Sequence, residues 1–286
     1  MNFWKNATAY SRLIKLEHTL FALPFALSAL CLSYKEGFSL GFDLVLLAIL
    51  AFTAARSAAM GFNRIVDAKF DIKNPRTKSR PSVNGEISLS AAKIFTGVSI
   101  LLFILFAWLI NNLCGILSIP AIVVLLGYSY AKRFTSAAHY ILGLALSLAP
   151  AGAWIAATGN FDPRIISLSS ALFFSISAFD IIYALQDMDF DKKENLHSIP
   201  ARYGTRNSLF IAGTSFICAV SMYLITGLLF KLNEIYFLSI TIIACLYIYG
   251  LFAVAKNGAN SVNLAFLRIN IASSFLTLFG IASSLF

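Results

Sequence analysis

The stretch Asn63-Arg64-Ile65-Val66-Asp67-Ala68-Lys69-Phe70-Asp71 closes an apolar run over residues 41–62, and the junction of the two decides the fold. An apolar run of about 20 residues is long enough to cross a bilayer as a helix. Asn63, Asp67 and Asp71 recur every four residues, so a helix continued through them puts all three on one face. Oxygen-bearing side chains stacked where a membrane helix meets the polar layer are costly unless they bind something. A second array, Asp187-Met188-Asp189-Phe190-Asp191 preceded by Asp180, stands about 120 residues later, again after an apolar run. Most of the acidic residues lie in or beside these arrays. The expectation is that the arrays face each other and hold divalent metal ions.

The bulk composition fits. Hydrophobic residues make up 59% of the 286, charged residues only 12%, and the mean hydropathy is +0.79. A soluble domain carries about twice that charged fraction. The reading is an all-α polytopic membrane protein, a single helical bundle over residues 1–286 with a central cavity opening to the cytoplasmic side. A net charge of +9 raises the question of nucleic acid, but the basic residues sit in short loops between apolar segments. That is where the positive-inside rule puts them, so no nucleic-acid partner is expected. Cys31, Cys114, Cys218 and Cys245 share no paired spacing and read as small hydrophobes. Residues 1–15 lack the form of a cleaved signal.

Nine segments are long enough to span: 18–35, 41–62, 92–110, 113–131, 137–158, 164–186, 208–230, 235–255 and 264–285. An Asn111-Asn112 turn separates the third from the fourth. With nine spans, 18 Lys and Arg residues fall on the side of the N-terminus and 3 on the other, with Arg56 inside the second span. That places the N-terminus and both acidic arrays in the cytoplasm. Loops 72–91 and 192–206 follow the arrays, and both are basic and broken by Pro and Gly. The two like-built pieces point to an internal pseudo-repeat.

Mg²⁺ prefers carboxylate oxygens and water and often completes its octahedron with substrate phosphates. Asp67, Asp71, Asp187 and Asp191 are four such ligands, with Asn63 as a neutral fifth. Lys73, Arg76, Arg80, Lys132, Arg133 and Arg64 stand around them in the sequence. Carboxylates that hold metal, with metal and cations that neutralise phosphate, are what a diphosphate site needs. Without metal, four carboxylates would repel and raise one another's pKa.

The pattern Asn63-x-x-x-Asp67-x-x-x-Asp71, Arg76-Thr77-Lys78-Ser79-Arg80-Pro81, Tyr128-x-x-x-Lys132-Arg133-x-Thr135 and Asp180-x-x-Tyr183-x-x-x-Asp187-x-x-x-Asp191 resembles the UbiA family of intramembrane prenyltransferases. The likeness covers nearly the whole chain. The opening Leu13-Ile14-Lys15-Leu16-Glu17-His18 through Pro24 is similar to the branch that prenylates 4-hydroxybenzoate. The resemblance implies Mg²⁺ as cofactor, a polyprenyl diphosphate and an aromatic acid as substrates, and ubiquinone-type quinone synthesis in a bacterial inner membrane. Asp67, Asp71, Asp187, Asp191 and Arg133 would be catalytic. Asn63 and the four aspartates would hold metal, and Asn63, Lys73, Arg76, Arg80, Lys132 and Arg133 the diphosphate. Oligomeric state is left open.

Arg56 lies two turns before Asn63 on nearly the same face, where a mid-membrane Arg normally meets a cavity or a partner. It is expected to receive the acceptor carboxylate, with Arg133 as its competitor for that role. Asp180 is expected to hold the acceptor hydroxyl, or else to pair structurally. His18, His139 and His197 share no spacing and receive no role. Trp4, Trp108 and Trp154, near span ends, read as an aromatic belt. The competing readings are an ion- or proton-coupled transporter, a phospholipid head-group transferase, and a prenyltransferase for another acceptor such as a menaquinone-route aromatic acid. A conduction path would spread its polar groups across the membrane, and these cluster at one face.

Overall fold

The computed structural model describes residues 3–286, apart from the side chains of residues 3–7, Leu16 and Ala259. The helices are α1 (Phe3–Leu13), α2 (Leu23–Lys35), α3 (Phe42–Asp71), α4 (Leu89–Ile110), α5 (Asn112–Gly127), α6 (Ala138–Thr158), α7 (Ile165–Ala184), α8 (Met188–Lys193), α9 (Ile199–Leu229), α10 (Glu234–Asn257) and α11 (Asn270–Ala282). Eight helical stretches among the described residues are long and apolar enough to cross a membrane. The protein is an all-helical integral membrane protein. The expected first span is shorter than the rest. Pro24 stands in the first turn of α2, which runs 13 residues, about 20 Å, after a 3₁₀ turn over Leu16–Phe21.

The chain forms two compact units, Met1–Thr19 with Asp43–Tyr130, and Leu20–Phe42 with Ala131–Phe286. In the first, α3 runs unbroken for 30 residues, so Arg56, Asn63, Asp67 and Asp71 share one helix. Gly61 lets α4 approach: a Cβ there would lie 2.4 Å from Thr96 Oγ1. Leu13 and Ala9 of α1 are buried with Ile87 and Ala92, and Ile65 and Phe95 pack on them. The expected Asn111 turn is present, and Asn111 caps α5 by accepting from the Cys114 N–H.

In the second unit α7 is the hub, buried over most of its length and packed by α6 and α9. Close approach of α6 and α7 depends on Gly143, where a Cβ would come 2.6 Å from the Phe173 carbonyl oxygen. Trp154 overturns the belt expectation: it is buried against Phe38 and Phe230. Trp108 is half exposed, as a belt residue would be, and the Trp4 side chain lies outside the described residues. Within α9 the backbone breaks at Gly204, whose φ of 74° is open to glycine at little steric cost.

Candidate active site

In the first unit the array stands on the last three turns of α3. Asn63 Nδ2 donates to Asp67 Oδ2 at 2.8 Å, which confirms that residues four apart meet on this face. Asp71 is buried, and Arg80 Nη1 donates to both of its carboxylate oxygens. Arg64, also buried, brings Nη1 to 3.8 Å from the same group. Loop 72–91 is folded around this contact. Thr77 Oγ1 donates to the Asp71 carbonyl, and Asn74 Oδ1 accepts from the Arg76 N–H in an Asx turn. Arg80, expected on diphosphate, is thus brought to a carboxylate expected on metal.

Two arginines of α3 also hold the chain that leaves α1. Arg64 Nε donates to the Leu13 carbonyl, and Arg56 Nη2 to the Lys15 carbonyl at 3.3 Å. Lys15 has a φ of 47°, which turns its carbonyl out of the helix. Arg56 Nε is buried without a hydrogen-bond partner. A buried guanidinium with an unused donor is suited to a carboxylate.

In the second unit α7 ends at Ala184, a 3₁₀ turn spans Leu185–Asp187, and α8 carries Asp191. Asp187 and Asp191 are buried, whereas Asp189 is exposed, as its position off their shared face predicts. Lys132 Nζ lies 3.8 Å from Asp191 Oδ2, and the Lys132 carbonyl accepts from the His197 N–H. Ser198 caps α9, its hydroxyl oxygen accepting from the Ala201 N–H. Asp191 Oδ2 itself is buried with no hydrogen-bond donor. A buried carboxylate oxygen with a lysine nearby but no hydrogen-bond donor, four residues from a second aspartate, fits a hard divalent cation. Within neither unit do three His, Cys, Asp or Glu side chains gather as a cage, counted over the described residues.

The model of the UbiA prenyltransferase family matches residues 22–274, a range that contains every residue named above from Arg56 to Ser198. The chain belongs to the UbiA prenyltransferase family. It is 30% identical over 226 residues to the 4-hydroxybenzoate octaprenyltransferase of Tolumonas auensis, covering 78% of this chain and 79% of that one. The apo structure of a UbiA homologue from Aeropyrum pernix K1 superposes with a TM-score of 0.84 at 28% identity, over 94% of this chain and 98% of that one. A UbiA homologue from Archaeoglobus fulgidus bound to GPP and Mg²⁺ shares the fold, with a TM-score of 0.74 at 21% identity over 96% and 99%.

Two features of this UbiA-family chain had no sequence signal of their own. His139, fully buried, places Nδ1 2.7 Å from Asp180 Oδ2 and accepts the Ile199 N–H on Nε2. Its partners stand 41 and 60 residues away in sequence, so no local spacing announces them. The second is a π-helical turn over Leu264–Ile269 that brings Phe266 onto Tyr183 with ring centroids 4.1 Å apart. Phe21 completes the cluster edge-on to Phe266. A π-turn is a length irregularity, and composition does not mark it.

Proposed function

We propose that this UbiA-family prenyltransferase moves a polyprenyl group from polyprenyl diphosphate to the ring carbon next to the hydroxyl of 4-hydroxybenzoate. The observation that carries the reading is the family match, over a chain whose two acidic arrays end apolar helices. The named relative acts on 4-hydroxybenzoate, and the Archaeoglobus fulgidus homologue binds GPP and Mg²⁺.

Asn63, Asp67, Asp71, Asp187 and Asp191 would hold Mg²⁺. When bound, Mg²⁺ supplies charge neutralisation for the diphosphate and makes it a better leaving group. Lys73, Arg76, Arg80, Lys132 and Arg133 add cations to the same oxygens as negative charge develops on them. The prenyl group leaves as an allylic cation. Attack by the ring forms the carbon–carbon bond, and loss of the ring proton restores aromaticity. Arg56 receives the acceptor carboxylate, which fixes the ring and selects an aromatic acid over a neutral phenol. Asp180 accepts a hydrogen bond from the acceptor hydroxyl, which enriches the neighbouring ring carbon in electron density. The active face looks to the cytoplasm of a bacterial inner membrane.

The test is to incubate the purified protein with Mg²⁺, labelled prenyl diphosphates and a panel of aromatic acids. The reading expects prenylated 4-hydroxybenzoate and none without the metal. Transfer only to a naphthoate or another acid moves the protein to a menaquinone-type route. Release of no diphosphate with any acceptor defeats the enzyme reading.

A further inference from the structure

His139 is completely buried in the first turn of α6, yet both ring nitrogens are engaged. The Ile199 N–H donates to Nε2 at 3.2 Å, so that nitrogen carries no proton. The ring proton of the neutral imidazole is therefore on Nδ1, which faces Asp180 Oδ2 at 2.7 Å. That donor is met by Asp180 Oδ2 as acceptor. One ring thus ties three helix ends: the start of α6, the last turns of α7 and the first residue of α9. Asp180 keeps 18% of its side-chain surface accessible while His139 keeps none. One carboxylate oxygen is held from behind, and the group still has an open side. Its other charged neighbours are Lys132 and Asp187, both from the proposed site.

We propose that His139 is a positioning residue that fixes the orientation of Asp180, so that its accessible oxygen receives the acceptor hydroxyl. The proposal rests on the acceptor reading above. His139 touches no substrate. It acts by preventing Asp180 from rotating away or turning toward Lys132, and its backbone bond to Ile199 fixes the ring plane.

The two bonds can be separated by substitution. In His139→Asn the amide reaches the place of Nδ1 and keeps a donor for Asp180. In His139→Gln the longer side chain reaches the place of Nε2, keeps an acceptor for Ile199 and abandons Asp180. Full-length protein in nanodiscs would be assayed for acceptor KM, prenyl diphosphate KM, kcat and Tm, with the Tm shift on adding 4-hydroxybenzoate as a readout independent of turnover. His139→Gln should raise acceptor KM about tenfold or more, the worth of a hydrogen bond to a charged group, and shrink the acceptor-induced Tm shift. His139→Asn should stay within about threefold of wild type, and the prenyl diphosphate KM should hold in both. Equal effects of the two variants, or parallel rises in both KM values, would reduce His139 to a structural strut. Should His139→Gln not fold, Asp180→Asn decides, because it still accepts from Nδ1: an unchanged acceptor KM there overturns the proposal. A wild-type protein that prenylates no aromatic acid overturns the acceptor reading itself, and the proposal with it.

Discussion

Arg80 Nη1 sits 2.6 Å from each oxygen of the Asp71 carboxylate, a mostly buried pair that joins the loop after α3 to the last residue of that helix. This contact links a residue proposed for diphosphate to one proposed for metal. Breaking a buried ion pair from one side leaves an uncompensated charge. Arg64, 3.8 Å from Asp71 Oδ2, covers part of that loss. Arg80→Ala should therefore destabilise the protein by about 1–3 kcal/mol, measured by thermal unfolding in detergent. Arg80→Lys should recover part of it, since one ammonium nitrogen can donate to both oxygens as Nη1 does, but from a shorter side chain. An unchanged Tm in Arg80→Ala would show that Arg64 alone satisfies Asp71.

Arg56 offers a buried Nε with no partner and spends Nη2 on the Lys15 carbonyl. Arg56→Ala should raise the acceptor KM by about tenfold to a hundredfold and leave the prenyl diphosphate KM within about threefold. Steady-state kinetics with each substrate varied in turn checks the split. An unaltered acceptor KM would transfer the carboxylate role to Arg133.

Two glycines of α6 should respond in opposite directions. A methyl at Gly143 would meet the Phe173 carbonyl oxygen at 2.6 Å and Ser177 Oγ at 2.3 Å, whereas one at Gly152 meets nothing within 4 Å. Gly143→Ala should lower stability by about 1–3 kcal/mol through overpacking against backbone that cannot yield. Gly152→Ala should be neutral or raise it by up to about 1 kcal/mol, the helix-propensity gain of alanine. Tm values of the two single variants decide the matter.

The loop between α6 and α7 carries an ion cluster. Arg164 Nη2 lies 2.7 Å from both Glu36 and Asp162, and hydrogen bonding to Arg164 lowers the Asp162 pKa below its ordinary 3.8. A carboxylate with a depressed folded-state pKa stabilises the protein above its unfolded pKa, and that contribution fades as pH falls through the folded value. Wild type should exceed Arg164→Gln in stability at pH 7, by less than about 1 kcal/mol for so exposed a pair, read as a higher Tm. The gap should close as the pH falls below 4. A gap that persists once the carboxylates are protonated would assign the difference to the Arg164 contact with the Phe230 ring, 4.9 Å away.

Much of this was written in local sequence. Apolar runs set the long helices because the bilayer demands both length and internal hydrogen bonding. The four-residue spacing of Asn63, Asp67 and Asp71 placed them on one face because α3 does not break there. What escaped was long-range. His139 is one histidine in an apolar helix, and only the packing of α6, α7 and α9 gives it partners. Trp154 lies near a span end, where a belt is the ordinary outcome, but Phe38 and Phe230 close over it. The pairing of Arg80 with Asp71 depends on how loop 72–91 folds back, which hinges on Thr77 and Asn74 rather than on charge.

The claim at the centre is that both acidic arrays serve one Mg²⁺-dependent transfer. The direct measurement is prenylation of 4-hydroxybenzoate by wild type, Asp67→Asn and Asp191→Asn, each purified and shown to be folded. Both substitutions, one in each array, should cut kcat by at least about a hundredfold, as loss of groups that stabilise developing charge does. Near-normal turnover in either folded variant would contradict the account.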